Sequence, residues 1–246
     1  MGSLLEQMLV HNWHWIALVV FAGALLQGLS GVGLGMVASP LLALLDPALV
    51  PGPLLMISCV IAVMSVLRER AALDVSGLGY ALAGRLAASI PAALLIGLLP
   101  VRGLAITFAL VILLAVLASL LKLPLRPTRL NLAIAGTLSG FMGTLTSVGL
   151  PPMALVYQSV PPAQLRASIG GFLAVGSLIS VAALASVGRF GLPEIGMGLL
   201  LLAPLFAGFA VSGRLRHRLP ARHMRLVVLS IAAASAALLL LRQLTG

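Results

Sequence analysis

The sequence predicts an all-α integral membrane protein built from two related halves. Three observations predict this class: the composition, a series of long apolar runs, and short motifs that recur in the same order. Of the 246 residues, 61% are hydrophobic and only 8% are charged, whereas a soluble domain has about 25% charged residues. Apolar runs of 17 or more residues follow one another along the chain, as in membrane-spanning helices. We therefore expect a single membrane domain surrounded by the lipid bilayer.

Eight apolar segments account for most of the chain, and six of them have the length of a single membrane crossing: 51–67, 77–99, 101–121, 163–187, 193–213 and 220–242. The segments 13–45 and 130–157 are longer and interrupted, by glycines at 28–35 and by glycines, hydroxyl residues and a proline pair at 139–152. Residues 13–45 would make a helix of about 50 Å, too long for a hydrocarbon core of about 30 Å. Because broken backbone in a membrane lines a cavity or is buried in protein, we predict two re-entrant hairpins, with broken spanning helices as the alternative.

The basic residues indicate topology rather than nucleic-acid binding, because they lie between the apolar runs. If both interrupted segments return to their own side, three basic residues lie on one face (Arg102, Arg189 and Arg242). The other face then has eleven, at positions 68, 70, 122, 126, 129, 166, 214, 216, 218, 222 and 225. The positive-inside rule makes the second face cytoplasmic. We predict six crossings in the cell inner membrane, both termini outside, and no nucleic-acid partner.

Short motifs repeat in the same order at a nearly constant offset. GLSG at 28–31 is echoed by TLSG at 137–140, AVMS at 62–65 by AVGS at 174–177, and LPVR at 99–102 by LPAR at 219–222. The first predicted repeat is 1–122 and the second is 123–246, each a hairpin followed by three crossings. An odd number of crossings inverts one half relative to the other. Inverted repeats with paired interruptions indicate a secondary transporter with its binding site near the membrane midplane.

The two interruptions are the candidate substrate site. A half-helix that begins inside the membrane, near Met36 or near Pro151, offers free amides and a partial positive charge to an anion. The alternative role of the small residues is close helix packing, to which we assign Gly170, Gly171 and Gly176. The candidate residues of the interruptions are Ser30, Gly31, Gly33, Gly35, Ser39, Ser139, Gly140, Gly143, Thr144, Thr146, Ser147 and Pro151.

Arg85 is the only basic residue deep within an uninterrupted apolar segment. A charge inside a membrane is costly and usually functional, so Arg85 is a candidate to neutralise an anionic substrate. The alternative is that its side chain reaches toward an interface or pairs with a backbone carbonyl. Carboxylates occur only near segment ends, and Asp46 and Asp74 are predicted to be solvated.

Other functional classes fit the sequence less well. The string GLSG also suits an intramembrane hydrolase with Ser30 as nucleophile, but this chemistry needs a nearby histidine, and the four histidines lie at segment ends or in loops. The single cysteine, Cys59, excludes an intrachain disulfide. We expect no enzyme activity, no cofactor and no metal. A passive anion channel and a homo-oligomer both stay open.

The motifs QGLSGVGLGMVASPLLAL at 27–44 and SGFMGTLTSVGLPPMALVYQ at 139–158 resemble those of the TauE/SafE sulfite exporter family, also called the 4-toluene sulfonate uptake permease family. The resemblance covers nearly the whole chain. It implies a multi-pass inner-membrane transporter of sulfite, an organosulfonate or a related anion, more often an exporter. The string GTLTSVG supplies hydroxyls where many members have denser glycine runs.

Overall fold

A computed structural model describes residues 12–31, 33–121, 125–215 and 221–245, and in these ranges it contains helices and turns but no strand. The predicted all-α class is confirmed. Two short 3₁₀ turns lie at Pro47–Leu49 and Arg70–Ala72. The helices are α1 Trp13–Ser30, α2 Leu34–Leu45, α3 Gly52–Arg68, α4 Leu78–Leu98, α5 Val101–Leu120, α6 Arg129–Thr146, α7 Leu150–Val156, α8 Pro162–Ser186, α9 Leu192–Leu215 and α10 Ala221–Thr245.

Six helices of the described ranges are long and apolar enough to cross a membrane: Trp13–Ser30, Leu78–Leu98, Val101–Leu120, Ala163–Ser186, Leu192–Leu215 and His223–Thr245. The last five match predicted crossings. The remaining predicted crossing is α3, an apolar helix of 17 residues. The first helix, α1, belongs to the segment predicted to form a hairpin and is itself long enough to span.

The helix ends form two opposite ends of the bundle. At the basic end, where α3 and α9 finish, Arg68 Nη1 donates to Ser212 Oγ at 3.2 Å. The opposite end is where α2 and α10 finish, and there Arg242 Nη1 lies 3.5 Å from the Leu44 carbonyl oxygen. Lys122, Arg216 and Arg218 of the predicted cytoplasmic face lie outside the described residues.

The chain reverses direction in both interrupted segments. Turn 1 (Gly31 and Gly33) follows α1, and turn 2 (residues 147–149) follows α6. Gly31 and Ser147 have left-handed φ angles of 78° and 62°. After turn 1 the chain returns beside α1, where the Leu34 amide donates to Gln27 Oε1 at 2.9 Å. After turn 2 a Cβ placed on Gly143 would lie 3.2 Å from the Gly149 Cα, so the chain again runs back along the preceding helix.

The second interruption is shorter than predicted. Helix α6 continues through residues 139–146, so the expected break over 139–152 is wrong there, and only turn 2 is unwound. The hydroxyls of Thr137 and Thr146 donate to carbonyls four residues earlier, at 2.9 and 2.8 Å, and so are satisfied within the helix. Gly136 and Gly140 lie against the backbone of α4. Close packing of α6 on α4 therefore uses the small residues that suggested a break.

Several helix pairs form the bundle. Helix α4 packs on α6 and α1 packs on α9; α3 packs on α9 and α4 packs on α8. The pairs α3 with α8 and α5 with α10 complete the main contacts. The buried apolar residues of these helices enclose both turns.

The two carboxylates predicted to be solvated lie in connections. Asp46 Oδ1 accepts the Ala48 amide at 2.9 Å. Asp74 Oδ1 accepts both the hydroxyl and the amide of Ser76, at 2.5 and 2.8 Å. These hydrogen bonds hold the pKa of the Asp74 carboxyl below its ordinary value, because they stabilise its charged form.

Candidate functional site

Arg85 lies at the centre of the candidate site. It is on the second turn of α4, and only 1% of its surface is exposed. Nη1 donates to Ser139 Oγ at 3.0 Å and Nη2 donates to Ser180 Oγ at 3.1 Å. An arginine stays protonated in proteins, so the structure holds a full positive charge inside the helix bundle.

Three glycines make room for this guanidinium. A Cβ on Gly143 would lie 3.0 Å from Nη2, and one on Gly149 would lie 2.8 Å from Nη1. A Cβ on Gly176 would meet Nε and Cδ. Phe172 covers another side, with its ring centroid 5.3 Å from Arg85 Cζ. These neighbours restrict the position of the side chain.

A chain of buried hydroxyls extends from Arg85 across three helices. Thr144 Oγ1 lies 2.8 Å from Ser180 Oγ and 3.0 Å from Ser89 Oγ. On the other side of the guanidinium, the Ser139 hydroxyl donates to the carbonyl of Gly149 in turn 2. Buried networks of this kind fix side-chain positions when their members are satisfied.

Two buried groups of the site have no hydrogen-bond partner: Arg85 Nε and Ser58 Oγ. Both residues line a cavity of about 30 Å³, and one water needs roughly 10–15 Å³ of such volume. Most buried polar groups are paired, so an exception calls for a ligand or a water. The rest of the lining comes mainly from both turns and α8: Gln27, Gly33, Gly35, Met36, Leu55, Ser147, Val148, Gly149, Leu150, Leu173 and Ser177.

No carboxylate forms an ion pair with Arg85 among the residues that the structure describes, and the ion pair of Arg166 with Glu69 does not include it. An isolated buried charge is strongly unfavourable unless something compensates it. Two unused donors, a positive charge and a small cavity are together the features of an anion-binding site.

The start of α2 meets turn 2 beside this cavity. The Ser39 hydroxyl, in α2, donates to the Thr146 carbonyl at 2.5 Å. A Cβ on Gly35 would collide with the Ser147 carbonyl, so the two backbones are in close contact. The Ser147 hydroxyl donates to the Pro51 carbonyl at 3.1 Å. Of the predicted interruption residues, Gly33, Gly35 and Ser147 line the cavity.

The other predicted residues lie around this junction or away from it. Gly140 lies against the Arg85 backbone, and Pro151 is buried in the first turn of α7. Ser30 and Gly31 are near the basic end, where a Cβ on Gly31 would lie 2.8 Å from Arg166 Cγ. The Ser30 hydroxyl donates to its own helix at the Leu26 carbonyl, 2.8 Å away. His14 is at the other end of α1, so this described histidine is not a base for Ser30.

Sequence reasoning missed several residues of the site. It assigned Gly176 to helix packing, whereas this glycine borders the Arg85 guanidinium. It did not select Ser58, Ser89 or Ser180, each a serine within a long apolar run. A polar residue deep in such a run was the available signal, as it was for Arg85.

A buried guanidinium with no carboxylate partner among the described residues, in a bundle with helices of membrane length, is a feature that suits a membrane protein for anions. The family model described as sulfite exporter TauE/SafE matches residues 15–239. The chain therefore belongs to the TauE/SafE sulfite exporter family, a family of membrane transporters, as its motifs predicted. No curated protein and no solved structure matches the chain.

Proposed function

We propose that this protein exports a small anion such as sulfite or an organosulfonate across the cell inner membrane, and that Arg85 binds the anion. The single observation that carries the proposal is the buried Arg85 charge with an unused Nε and no carboxylate partner among the described residues. Sulfite and sulfonate groups present several oxygens to such a donor, and charge-assisted hydrogen bonds are the strong ones.

The residues around the cavity have different tasks in this proposal. Arg85 supplies charge and one donor, and Ser58 supplies a second donor from α3. Ser139 and Ser180 fix the guanidinium, so the anion does not have to order it. Gly33, Gly35 and Gly149 let backbone approach the anion without an intervening side chain. The site would thus replace part of the hydration shell of the anion.

The reciprocal packing of the helices supports inverted repeats. If α1 to α5 correspond to α6 to α10, then α4 with α6 and α9 with α1 are the same contact, and so are α4 with α8 and α9 with α3. The pairs α3 with α8 and α5 with α10 are their own counterparts. A pseudo-two-fold axis in the membrane plane has this consequence. We propose alternating access, in which the two halves move around the Arg85 site.

The direction of the chain supports a cytoplasmic basic end. Arg68, Arg166 and Arg214 lie at this end of α3, α8 and α9, which agrees with the positive-inside rule. Helix α1 begins at the opposite end and α10 finishes there, so both termini would be outside. The cavity is small, and the start of α2 contacts turn 2. Both features favour a transporter over a passive channel, because a channel needs a continuous open path.

Proteoliposomes loaded with sulfite test this proposal. The wild-type protein should release sulfite, and should accumulate it against a concentration difference when an ion gradient is imposed. Arg85→Gln should lower the rate about a hundredfold or more, since a buried charged hydrogen bond is worth roughly 3 kcal/mol. Arg85→Lys keeps the charge but loses the fork of donors, so it should retain part of the rate.

Arg102→Gln is the matched control, because Arg102 is exposed at a helix start. It should transport like the wild type. Size-exclusion profiles and melting temperatures check that each variant is folded. A folded Arg85→Gln protein with a normal rate would remove Arg85 from the mechanism, and downhill release without accumulation under any gradient would favour the channel.

A further inference from the structure

Three cavities follow one another from the basic end to Arg85. The outermost is open, has a volume of about 430 Å³, and is lined by α3 and the start of α8. It shares Arg68, Glu69 and Arg166 with an inner cavity. The inner cavity in turn shares Gln27 and Leu173 with the cavity of Arg85. Because neighbouring cavities share lining residues, the three cavities lie one after another between the basic end and the candidate site. We refer to this series of cavities as the route.

The ion pair of Arg166 with Glu69 stands where the outer and inner cavities meet. Arg166 Nη2 and Glu69 Oε1 are 2.9 Å apart, and Arg166 Nε lies 2.9 Å from each carboxylate oxygen. The side chains are 27% and 11% exposed, so the pair is half-buried rather than freely solvated. The pair thus borders the path that an anion would take.

Glu69 occupies the edge of the guanidinium that is formed by Nε and Nη2. An arginine also binds oxyanions through this edge. Arginine holds carboxylates and tetrahedral oxyanions with the same fork of N–H groups. A sulfite or sulfonate arriving from the outer cavity therefore competes with the Glu69 carboxylate for the same donors. An uncharged or cationic solute has no such interaction with Arg166.

We propose that Arg166 is a second anion-binding site at the entrance of the route, and that Glu69 occupies it until an oxyanion displaces the carboxylate. This inference rests on the proposed anion transport. It identifies Arg166 and Glu69 as residues that determine specificity for anions at the basic end.

Turn 1 is in contact with this pair. The aliphatic part of Arg166 packs on Gly31, where a Cβ would lie 2.8 Å from Cγ. An anion that replaces Glu69 on Arg166 therefore acts on a side chain that packs against the first residue of turn 1, and turn 1 leads to Gly33 at the Arg85 cavity. Binding at the entrance is in this way connected to the backbone that lines the next site.

Opposite effects of two neutralising substitutions test the proposal. Glu69→Gln removes the competing charge, so sulfite and methanesulfonate should bind about threefold to tenfold more tightly, since a half-buried ion pair is worth roughly 1 kcal/mol. Arg166→Gln removes the site and should weaken binding. Thermal-shift titrations of each purified variant in the Arg85→Gln background measure this site without the other. Arg70→Gln, which removes an exposed charge from the same end, is the matched control.

The outcomes separate the two proposals. Tighter binding in Glu69→Gln with weaker binding in Arg166→Gln supports the entrance site, whether or not Arg85 proves necessary for transport. Equal weakening in both variants, with recovery in the reversed pair Glu69→Arg with Arg166→Glu, would mean that the pair only holds α3 to α8. Loss of binding in Arg70→Gln as large as in Arg166→Gln would reduce the effect to general charge and overturn the inference.

Discussion

Turn 1 and turn 2 begin with the same backbone conformation and have different neighbours. Each begins with a left-handed residue, at Gly31 and Ser147, and each contains a glycine two residues later, at Gly33 and Gly149. Turn 1 begins against the Arg166 side chain near the basic end, whereas turn 2 lies against Arg85 deep in the bundle. A left-handed first residue therefore lies beside an ion pair in turn 1 and precedes a turn beside an uncompensated cation in turn 2.

This difference shows that two turns with the same starting conformation can have different chemistry. The glycine of turn 1 is surrounded by backbone, since a Cβ on Gly33 would lie 2.7 Å from the Gln27 nitrogen. The nearest atom to a Cβ on Gly149 is the Arg85 Nη1, the end of a side chain. Turn 1 is expected to be the more structural of the two, and turn 2 the more closely connected to binding.

The largest effect is expected from large side chains at the junction. Gly33→Leu and Thr146→Leu should each lower transport by about a hundredfold or more, because strong overpacking costs roughly 3 kcal/mol. Thr146 is fully buried, and no cavity there accepts a leucine. Sulfite efflux from proteoliposomes measures the loss. Gly196→Leu is the control, because nothing lies within 4 Å of a Cβ there; normal efflux in both junction variants would exclude these residues from the pathway.

Alanine at the two equivalent glycines should separate stability from binding. Gly33→Ala should lower the melting temperature in detergent, since backbone surrounds it and cannot move aside easily. Gly149→Ala should lower sulfite affinity about tenfold, because overpacking of roughly 1–3 kcal/mol displaces the guanidinium of Arg85.

Melting curves and thermal-shift titrations on both variants make this comparison, with Gly196→Ala as control. The reverse result, with Gly149→Ala unstable and Gly33→Ala defective only in binding, would contradict the distinction between the turns.

Substituting each left-handed residue by the one found in the other turn should have a smaller effect on stability, and only in turn 1. Gly31→Ser places a side chain at a positive φ and against Arg166, at a cost of about 1–2 kcal/mol. Ser147→Gly removes a similar strain but loses the hydroxyl bond to Pro51, worth about 1 kcal/mol, so its stability should stay near that of the wild type. Denaturation midpoints in detergent measure both. Equal destabilisation would show that the turns do not differ at these positions.

The smallest effect is expected for the hydrogen bond that joins the two halves at the turns. Ser39→Ala removes the donor to the Thr146 carbonyl and leaves that buried oxygen without it, which should destabilise the protein by about 1 kcal/mol. Ser235→Ala is the matched control, because the Ser235 hydroxyl bonds within its own helix to the Ile231 carbonyl. A change in Ser39→Ala no larger than in Ser235→Ala would show that this contact contributes little.

The sequence by itself determined the membrane class, the helices and the approximate positions of both interruptions. These features depend on local physics: apolar length, glycine, and proline at helix starts. Gly31 and Gly33 were predicted to lie in a break because glycine recurs there at every second residue, at 31, 33 and 35. Arg85 stood out because a charge in a long apolar run is rare.

Only the tertiary structure decided which small residues break a helix and which pack one. Gly140 and Thr144 are residue types that suggest an interruption, yet α6 continues through them. Gly140 packs against the backbone of α4, and the Thr144 hydroxyl is hydrogen-bonded to Ser89 and Ser180. Only the folded chain likewise shows that no carboxylate among the described residues pairs with Arg85. A sequence states which charges exist, but compensation between charges depends on which helices lie side by side.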